Sequence, residues 1–83
     1  MNTHQKMRTF DRIRDAVLSE YRERVSEYLV LYEDVLNDPT ASQEAVRSTA
    51  LQLRGYLRGL NTTRVLGMAE LEDLDSRIIE SWL

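Results

Sequence analysis

Apolar side chains recur every three or four residues along most of the chain, and this spacing predicts helices. In the first half of the sequence the stripe runs from Met7 to Leu36 without a glycine or a proline. Its members are Met7, Phe10, Ile13, Val17, Leu18, Tyr21, Val25, Tyr28, Leu29, Tyr32, Val35 and Leu36. The pattern predicts one long amphipathic helix over about residues 5 to 36, which at roughly 1.5 Å per residue is a rod of about 45 Å.

A turn is predicted at residues 37 to 40, around Pro39. Thr40 with Gln43 forms a candidate capping box for a second helix, and Asp38 as the cap, with proline at the first helical position, is the alternative. Both arrangements start the second helix near residue 40.

The second helix is predicted over about residues 41 to 60. Its apolar positions are Val46, Ala50, Leu53, Tyr56, Leu57 and Leu60. The pattern is then interrupted by Gly59 and Asn61, which suit a left-handed helix C-cap, and by Thr62 and Thr63, either of which could cap the start of a new helix. The apolar spacing from Leu57 to Trp82 nevertheless keeps helical phase across the interruption. The sequence therefore leaves open whether residues 63 to 82 form a third helix or continue the second.

Opposite charges occupy separate blocks of the chain. Residues 1 to 14 are mainly basic and residues 65 to 83 mainly acidic. An acidic block before Pro39 (Glu27, Glu33, Asp34, Asp38) is followed by a basic one (Arg47, Arg54, Arg58, Arg64). Folding the chain back at the proline brings each block beside its opposite. We therefore expect an all-α antiparallel helical hairpin, with or without a third helix, in one domain spanning residues 1 to 83. Two chains pairing as a coiled-coil-like four-helix bundle fit the same pattern.

Composition narrows the class of protein. A chain of 83 residues buries only roughly 60% of its unfolded surface. It has no cysteine and one histidine, so neither a disulfide nor a zinc cluster is expected to support the core. Self-association or a partner is the expected source of extra stability. No signal-peptide pattern is visible, and the longest apolar run, Tyr28 to Tyr32, is far short of the roughly 20 residues that cross a bilayer. We expect a cytoplasmic protein without a membrane segment.

The apolar run from Tyr28 to Tyr32 covers the whole circumference of a helix, because five consecutive residues are spaced at about 100° each. One hairpin partner cannot bury all of them. We expect Val30 and Leu31 to make an intermolecular contact; the alternative is that a third helix of the same chain covers them. Tyr28 and Tyr32 are expected to pack at the hairpin seam, and they also suit an interface anchor.

The C-terminal end is also apolar, with Trp82 and Leu83 as its last residues. A chain end frays unless it is docked. The tryptophan is therefore interpreted either as a lid packed near Phe10 and Met7 or as an anchor for a partner.

A basic stripe of Arg47, Arg54, Arg58 and Arg64 suits phosphate binding, as in a nucleic-acid-binding hairpin. We favour pairing of these arginines with the acidic half of the first helix, since the net charge of −3 opposes nucleic-acid binding. Gly55 and Gly59 form a Gly-x-x-x-Gly motif that predicts a close helix crossing, with a helix cap at the second glycine as the alternative.

Few residues in the sequence suit catalysis or metal binding. The acidic cluster near Glu70 lacks the loop of a calcium site and is interpreted as a solvated face, so no metal or other cofactor is expected. There is no cysteine nucleophile and no phosphate-binding loop, and nothing positions His4, so the chain is not expected to be an enzyme.

The segment from Leu53 to Leu60 resembles the Arg-Gly-x-x-x-Gly-Leu stretches of small helical bacteriophage proteins. The resemblance covers about a tenth of the chain. It implies a virion accessory protein, or a small early protein that binds a host enzyme, in the cytoplasm of a bacterial host or in the virion.

These observations favour a small non-enzymatic module that binds a larger protein, such as an inhibitor or adaptor. Its candidate binding residues are Tyr28, Val30, Leu31, Tyr32, Trp82 and Leu83. The alternatives are a self-assembling virion or scaffold component, and a nucleic-acid-binding hairpin that uses Arg47, Arg54, Arg58 and Arg64.

Overall fold

The computed structural model describes the backbone of residues 3 to 83 and the side chains of residue 6 and residues 8 to 83. In this part of the chain all regular structure is helical. The helices are α1 (Thr3–Ala16), α2 (Arg22–Leu36), α3 (Gln43–Thr62) and α4 (Met68–Trp82), with a single 3-10 turn at Ser19–Tyr21. The all-α prediction is confirmed, with four helices in place of the two or three expected.

Each helix packs against two others, with α1 and α3 both contacting α2 and α4. Successive helices are joined by short connections, which favours antiparallel neighbours. On α3 and α4, for example, Arg54 pairs with Asp75, while Val46 near the start of α3 shares a groove with Trp82. The core contains buried side chains from all four helices, including Phe10, Ile13, Val25, Leu29, Leu53, Leu57, Leu71, Leu74 and Ile78. None of the described helices is long and apolar enough to cross a membrane.

The prediction of one continuous helix over residues 5 to 36 is wrong. The helix ends at Ala16, and Leu18 is extended, with φ −53° and ψ 135°. The Leu18 N–H donates to the carbonyl oxygen of Val65 at 3.0 Å, and Arg22 Nε donates to the carbonyl oxygen of Arg14 at 2.8 Å. In a continuous helix the Leu18 N–H would donate to the carbonyl oxygen of Arg14. At the break each of these two groups has another partner through the bonds just described. The break is therefore stabilised by a tertiary contact and a side-chain cap.

Length gives the physical reason for this break. A rod of about 45 Å would project beyond the rest of the molecule, whose longest dimension is 34 Å. Once the rod is broken, α1 lies against α2 and both Val17 and Val25 are buried. The fold-back also brings Arg14 into an ion pair with Glu33 of α2.

The connection between α2 and α3 is capped differently from either prediction. Ser42 is the N-cap of α3, and its Oγ accepts a hydrogen bond from the backbone N–H of Ala45 at 3.1 Å. The carboxylate of Asp38 instead accepts hydrogen bonds from the hydroxyl and the backbone N–H of Thr40, at 2.7 and 2.9 Å. These bonds hold the turn and lower the pKa of Asp38 below its usual value.

A separate helix follows the second break, so α4 does not continue α3. The left-handed residue in the connection is Arg64, at φ 66°, and not the predicted Gly59 or Asn61. The N–H groups of the buried Val65 and Leu66 both donate to the carbonyl oxygen of Leu60, at 2.8 and 3.1 Å. This loop therefore contributes to the core as well as joining two helices.

The start of α4 also differs from the prediction of a threonine cap. Gly67 occupies the N-cap position. A Cβ at this position would collide with the carboxylate of Glu70, which folds back over the start of the helix. The glycine thus leaves room for an acidic side chain in the first turn of α4, where the helix dipole favours it.

The sequence predicts a close helix crossing at Gly55 and Gly59, and no other helix of the described chain crosses α3 closely there. A Cβ at either position would have no neighbouring atom within 4 Å. Each glycine inside a helix costs about 1 kcal/mol relative to alanine. No contact within the described chain offsets that cost.

Candidate interaction surface

Val30 and Leu31 lie on the side of α2 that faces away from the bundle. Four buried side chains of the helix, Val25, Leu29, Tyr32 and Leu36, point into the core. Val30 and Leu31 are 47% and 62% exposed. The interpretation that another helix of the chain covers them is wrong, because α4 packs against α1 and α3.

Acidic side chains flank these two apolar residues along the helix axis, and one basic side chain, Arg24, lies seven residues before Leu31. Glu27 and Asp34 each lie three or four residues from both Val30 and Leu31, so each carboxylate neighbours both apolar side chains. Glu23 extends the acidic character by one more turn. We call Glu23, Glu27, Val30, Leu31 and Asp34 the outer face of α2. It combines an apolar centre with a negatively charged rim.

Three tyrosines form a cluster at the seam between α2 and α3. The ring of Tyr56 stacks on Tyr28, with centroids 4.7 Å apart, and on Tyr32, at 5.8 Å. Tyr32 is buried, whereas Tyr28 is about half exposed. The seam packing predicted for both tyrosines is thus present, with Tyr32 inside it and Tyr28 at its edge. Burial, followed by the neighbouring tyrosines, raises the pKa of Tyr32 and of Tyr56 above the usual value.

Trp82 is docked at one end of the bundle. Its ring lies 5.7 Å from that of Phe10, between centroids, and its Nε1–H donates to the carbonyl oxygen of Leu36 at 3.2 Å. The lid interpretation is thus supported for Phe10, while the side chain of Met7 lies outside the described residues. Beside the tryptophan is an open groove of about 500 Å³ whose lining includes Lys6. Leu83 remains exposed.

The four arginines of the predicted basic stripe do not form one free basic surface. Arg54 donates from Nε and Nη2 to the two carboxylate oxygens of Asp75, at 2.6 and 3.0 Å, and Arg58 lies 3.9 Å from the same carboxylate. The expected pairing of these arginines with the acidic half of the first helix is wrong, because their partner is on α4. Arg47 and Arg64 are exposed. Arg54 is therefore engaged in an ion pair within the chain and does not contribute a free charge to the candidate nucleic-acid surface.

The two outer charge blocks do meet as predicted. Arg12 on α1 forms an ion pair with Asp73 on α4, with 3.3 Å between Nη1 and Oδ2. Both side chains are more than half exposed, so the pair contributes little to stability. It provides a matched comparison for the less exposed pair between Arg54 and Asp75.

The stability of the protein should fall in acid partly through Asp75. The hydrogen bond from Arg54 lowers the pKa of this carboxyl, so its stabilising effect is present above the unfolded-state pKa of about 3.9 and is lost as the pH falls through the folded value. Asp75→Asn should therefore flatten the dependence of the urea unfolding midpoint on pH below about 5. Asp73→Asn is the control and should leave that dependence close to wild type. Identical profiles for Asp75→Asn and wild type would contradict the assignment.

Leu51 on α3 is 47% exposed, although the sequence did not single it out as a surface residue. It lies two residues before the buried Leu53, out of phase with the apolar stripe of α3. The phase difference indicated its exposure, because a leucine outside the apolar stripe of an amphipathic helix points to solvent.

Among the described residues, no group of three histidine, cysteine or acidic side chains is placed to hold a metal ion. Comparisons with protein-family models, with curated proteins and with solved structures find no match.

Proposed function

We propose that the protein is a non-enzymatic module that binds a larger protein through the outer face of α2. The observation that supports this most is the pair Val30 and Leu31, two apolar side chains consecutive in sequence that remain about half and about two-thirds exposed in the bundle. Tyr28 lies three residues before Leu31 and adds a half-exposed aromatic ring at the edge of this surface. Clustered exposed apolar side chains with a polar rim are typical of protein interaction sites.

The surface also favours a type of partner. A regular helix with an apolar centre suits an apolar groove, as in helix-in-groove recognition. Because Glu27 and Asp34 flank that centre, the groove should have a basic rim. An inhibitor or adaptor of a larger host protein, the role that the phage resemblance implies, would act in this way.

The proposed surface leaves out three of the candidate binding residues. Tyr32 and Trp82 are engaged within the bundle, by the tyrosine cluster and by Phe10 with Leu36. Leu83 is exposed at the far end of α4 and does not belong to the outer face of α2.

A comparison of two exposed leucines tests the proposal. Tagged wild-type protein should retain one stoichiometric protein from a bacterial lysate, and Leu31→Asp should lose it because a charge enters the apolar centre. Leu51→Asp, an equivalent change on the outer side of α3, should retain it. Circular dichroism should show wild-type helicity for both variants.

The purified pair should then bind more weakly as salt is raised, because the charged rim is screened. Retention of the same protein by Leu31→Asp, or its loss from both variants alike, would contradict the proposal, as would a wild-type bait that captures nothing.

A further inference from the structure

A second uncovered helix surface lies on α3, on the side opposite its buried residues. Ala50, Leu53 and Leu57 point into the core. The opposite side presents Glu44, Ser48, Leu51, Gly55 and Arg58, which we call the outer face of α3. Beside Leu51 the surface is a shallow depression of about 450 Å³.

Two opposite charges on this face are placed symmetrically about its leucine, and Arg47, one turn before the leucine, adds a further positive charge beside the depression. Glu44, Leu51 and Arg58 follow one another at intervals of seven residues, which is close to two helical turns, so all three lie along one line. The carboxylate and the guanidinium are each roughly 10 Å from the leucine along the helix axis, on opposite sides. Turning this helix end for end about Leu51 therefore places Arg58 where Glu44 was and Glu44 where Arg58 was.

We propose that the outer face of α3 binds the same face of a second copy of the chain. The two α3 helices would cross antiparallel about a two-fold axis at Leu51. Each Glu44 then lies opposite the partner's Arg58, and the two leucines meet at the axis. A parallel arrangement would instead place like charges together at both ends, so the charges select the antiparallel one.

The backbone of this face suits a close approach. Gly55 lies one turn from Leu51, and a Cβ there would touch nothing within the chain. Ser48, on the other side of the leucine, is also small. A second helix can therefore approach the α3 backbone beside the leucine without steric conflict, which supplies the contact that this uncovered glycine lacks in a single chain.

The outer face of α2 does not suit the same role. Its acidic residues Glu23, Glu27 and Asp34 outnumber the one basic side chain beside them, Arg24, so two copies of that face would carry like net charge and repel each other. The two surfaces thus favour different occupants, a foreign partner on α2 and a second copy on α3. The inference does not depend on the proposed function.

The charge arrangement permits a mixing experiment. Glu44→Arg makes both ends of the face basic, and Arg58→Glu makes both ends acidic, so each variant repels itself. We expect each variant alone to dimerise at least about tenfold more weakly than wild type in sedimentation equilibrium from about 10 μM to about 1 mM. An equimolar mixture should form a heterodimer, visible by native mass spectrometry, with wild-type affinity to within about threefold.

Three further variants keep the test decisive. Leu51→Asp should abolish the dimer, whereas Leu31→Asp should dimerise as wild type does. Arg58→Gln removes the charge without placing a carboxylate beside Asp75, and it should also weaken the dimer. Circular dichroism should confirm that every variant keeps its helices.

Three results would overturn the inference. They are a wild-type protein that stays monomeric at about 1 mM, a mixture that forms no heterodimer, and a dimer that is lost with Leu31→Asp but kept with Leu51→Asp. The last result would transfer self-association to the outer face of α2.

Discussion

Leu57→Ala should destabilise the protein by about 2 to 5 kcal/mol, the range for truncating a leucine inside a packed core. Leu57 is fully buried and is part of the core to which all four helices contribute. A domain of this length has a free energy of unfolding of roughly 4 to 12 kcal/mol. The substitution should thus remove a large share of the total. Urea denaturation followed by circular dichroism measures the loss.

Leu51→Ala is the matched control for this prediction. It removes the same atoms from the same helix, at a position that is 47% exposed. At a protein concentration too low for the proposed dimer to form, its effect should stay within about 0.5 kcal/mol, as for most surface substitutions. Equal losses from the two variants at that concentration would show that Leu51 is packed within a single chain, which would contradict its exposure in the structure.

Trp82→Ala should destabilise the protein by about 2 to 4 kcal/mol, somewhat less than for a fully buried tryptophan. The change removes the ring packed on Phe10 and the hydrogen bond to the carbonyl oxygen of Leu36. Thermal and urea unfolding measure the effect.

Trp82→Phe separates the two contributions of this side chain. It keeps an aromatic ring beside Phe10 but removes the N–H donor, so it should cost only about 1 kcal/mol. Wild-type stability in Trp82→Ala would show that the tryptophan is a surface group and would restore its interpretation as a partner anchor.

Periodicity predicted most of the core because burial on a helix follows from the position of a residue in the turn. Phe10, Ile13, Leu53 and Leu57 belong to the predicted stripes and are all fully buried. Leu18, in the same predicted stripe as Phe10 and Ile13, is about half exposed because it lies in the break between α1 and α2. The error in burial thus follows from the error in helix continuity.

Local sequence did not contain the information that decides the helix ends. The cap of α3 is Ser42, but Thr40 and Asp38 offered equally good oxygen acceptors within four residues. The choice depends on how the turn hydrogen-bonds, since the Asp38 carboxylate is occupied by Thr40. Several adjacent polar residues can cap a helix, and only the folded turn distinguishes them.

The candidate surface was predicted in part. Because five consecutive apolar residues cannot all face one neighbour, helix geometry predicted that Val30 and Leu31 face away from the hairpin seam. It left open whether another helix of the chain covers them, and the structure decides that point. The ion pair of Arg54 with Asp75 could not be predicted, because the sequence offered several carboxylates and only the packing of α4 on α3 selects one. Long-range pairing of this kind depends on tertiary structure.

The hydrogen bond between Leu18 and Val65 joins the two irregular segments at which the helical pattern is interrupted. These residues lie far apart in sequence, so the bond exists only when the connection between α1 and α2 is docked on the loop between α3 and α4. Helix formation alone does not protect the Leu18 amide, because its partner is not on the same helix. Hydrogen exchange at this amide should therefore report the docking of the two halves of the chain, separately from the formation of their helices.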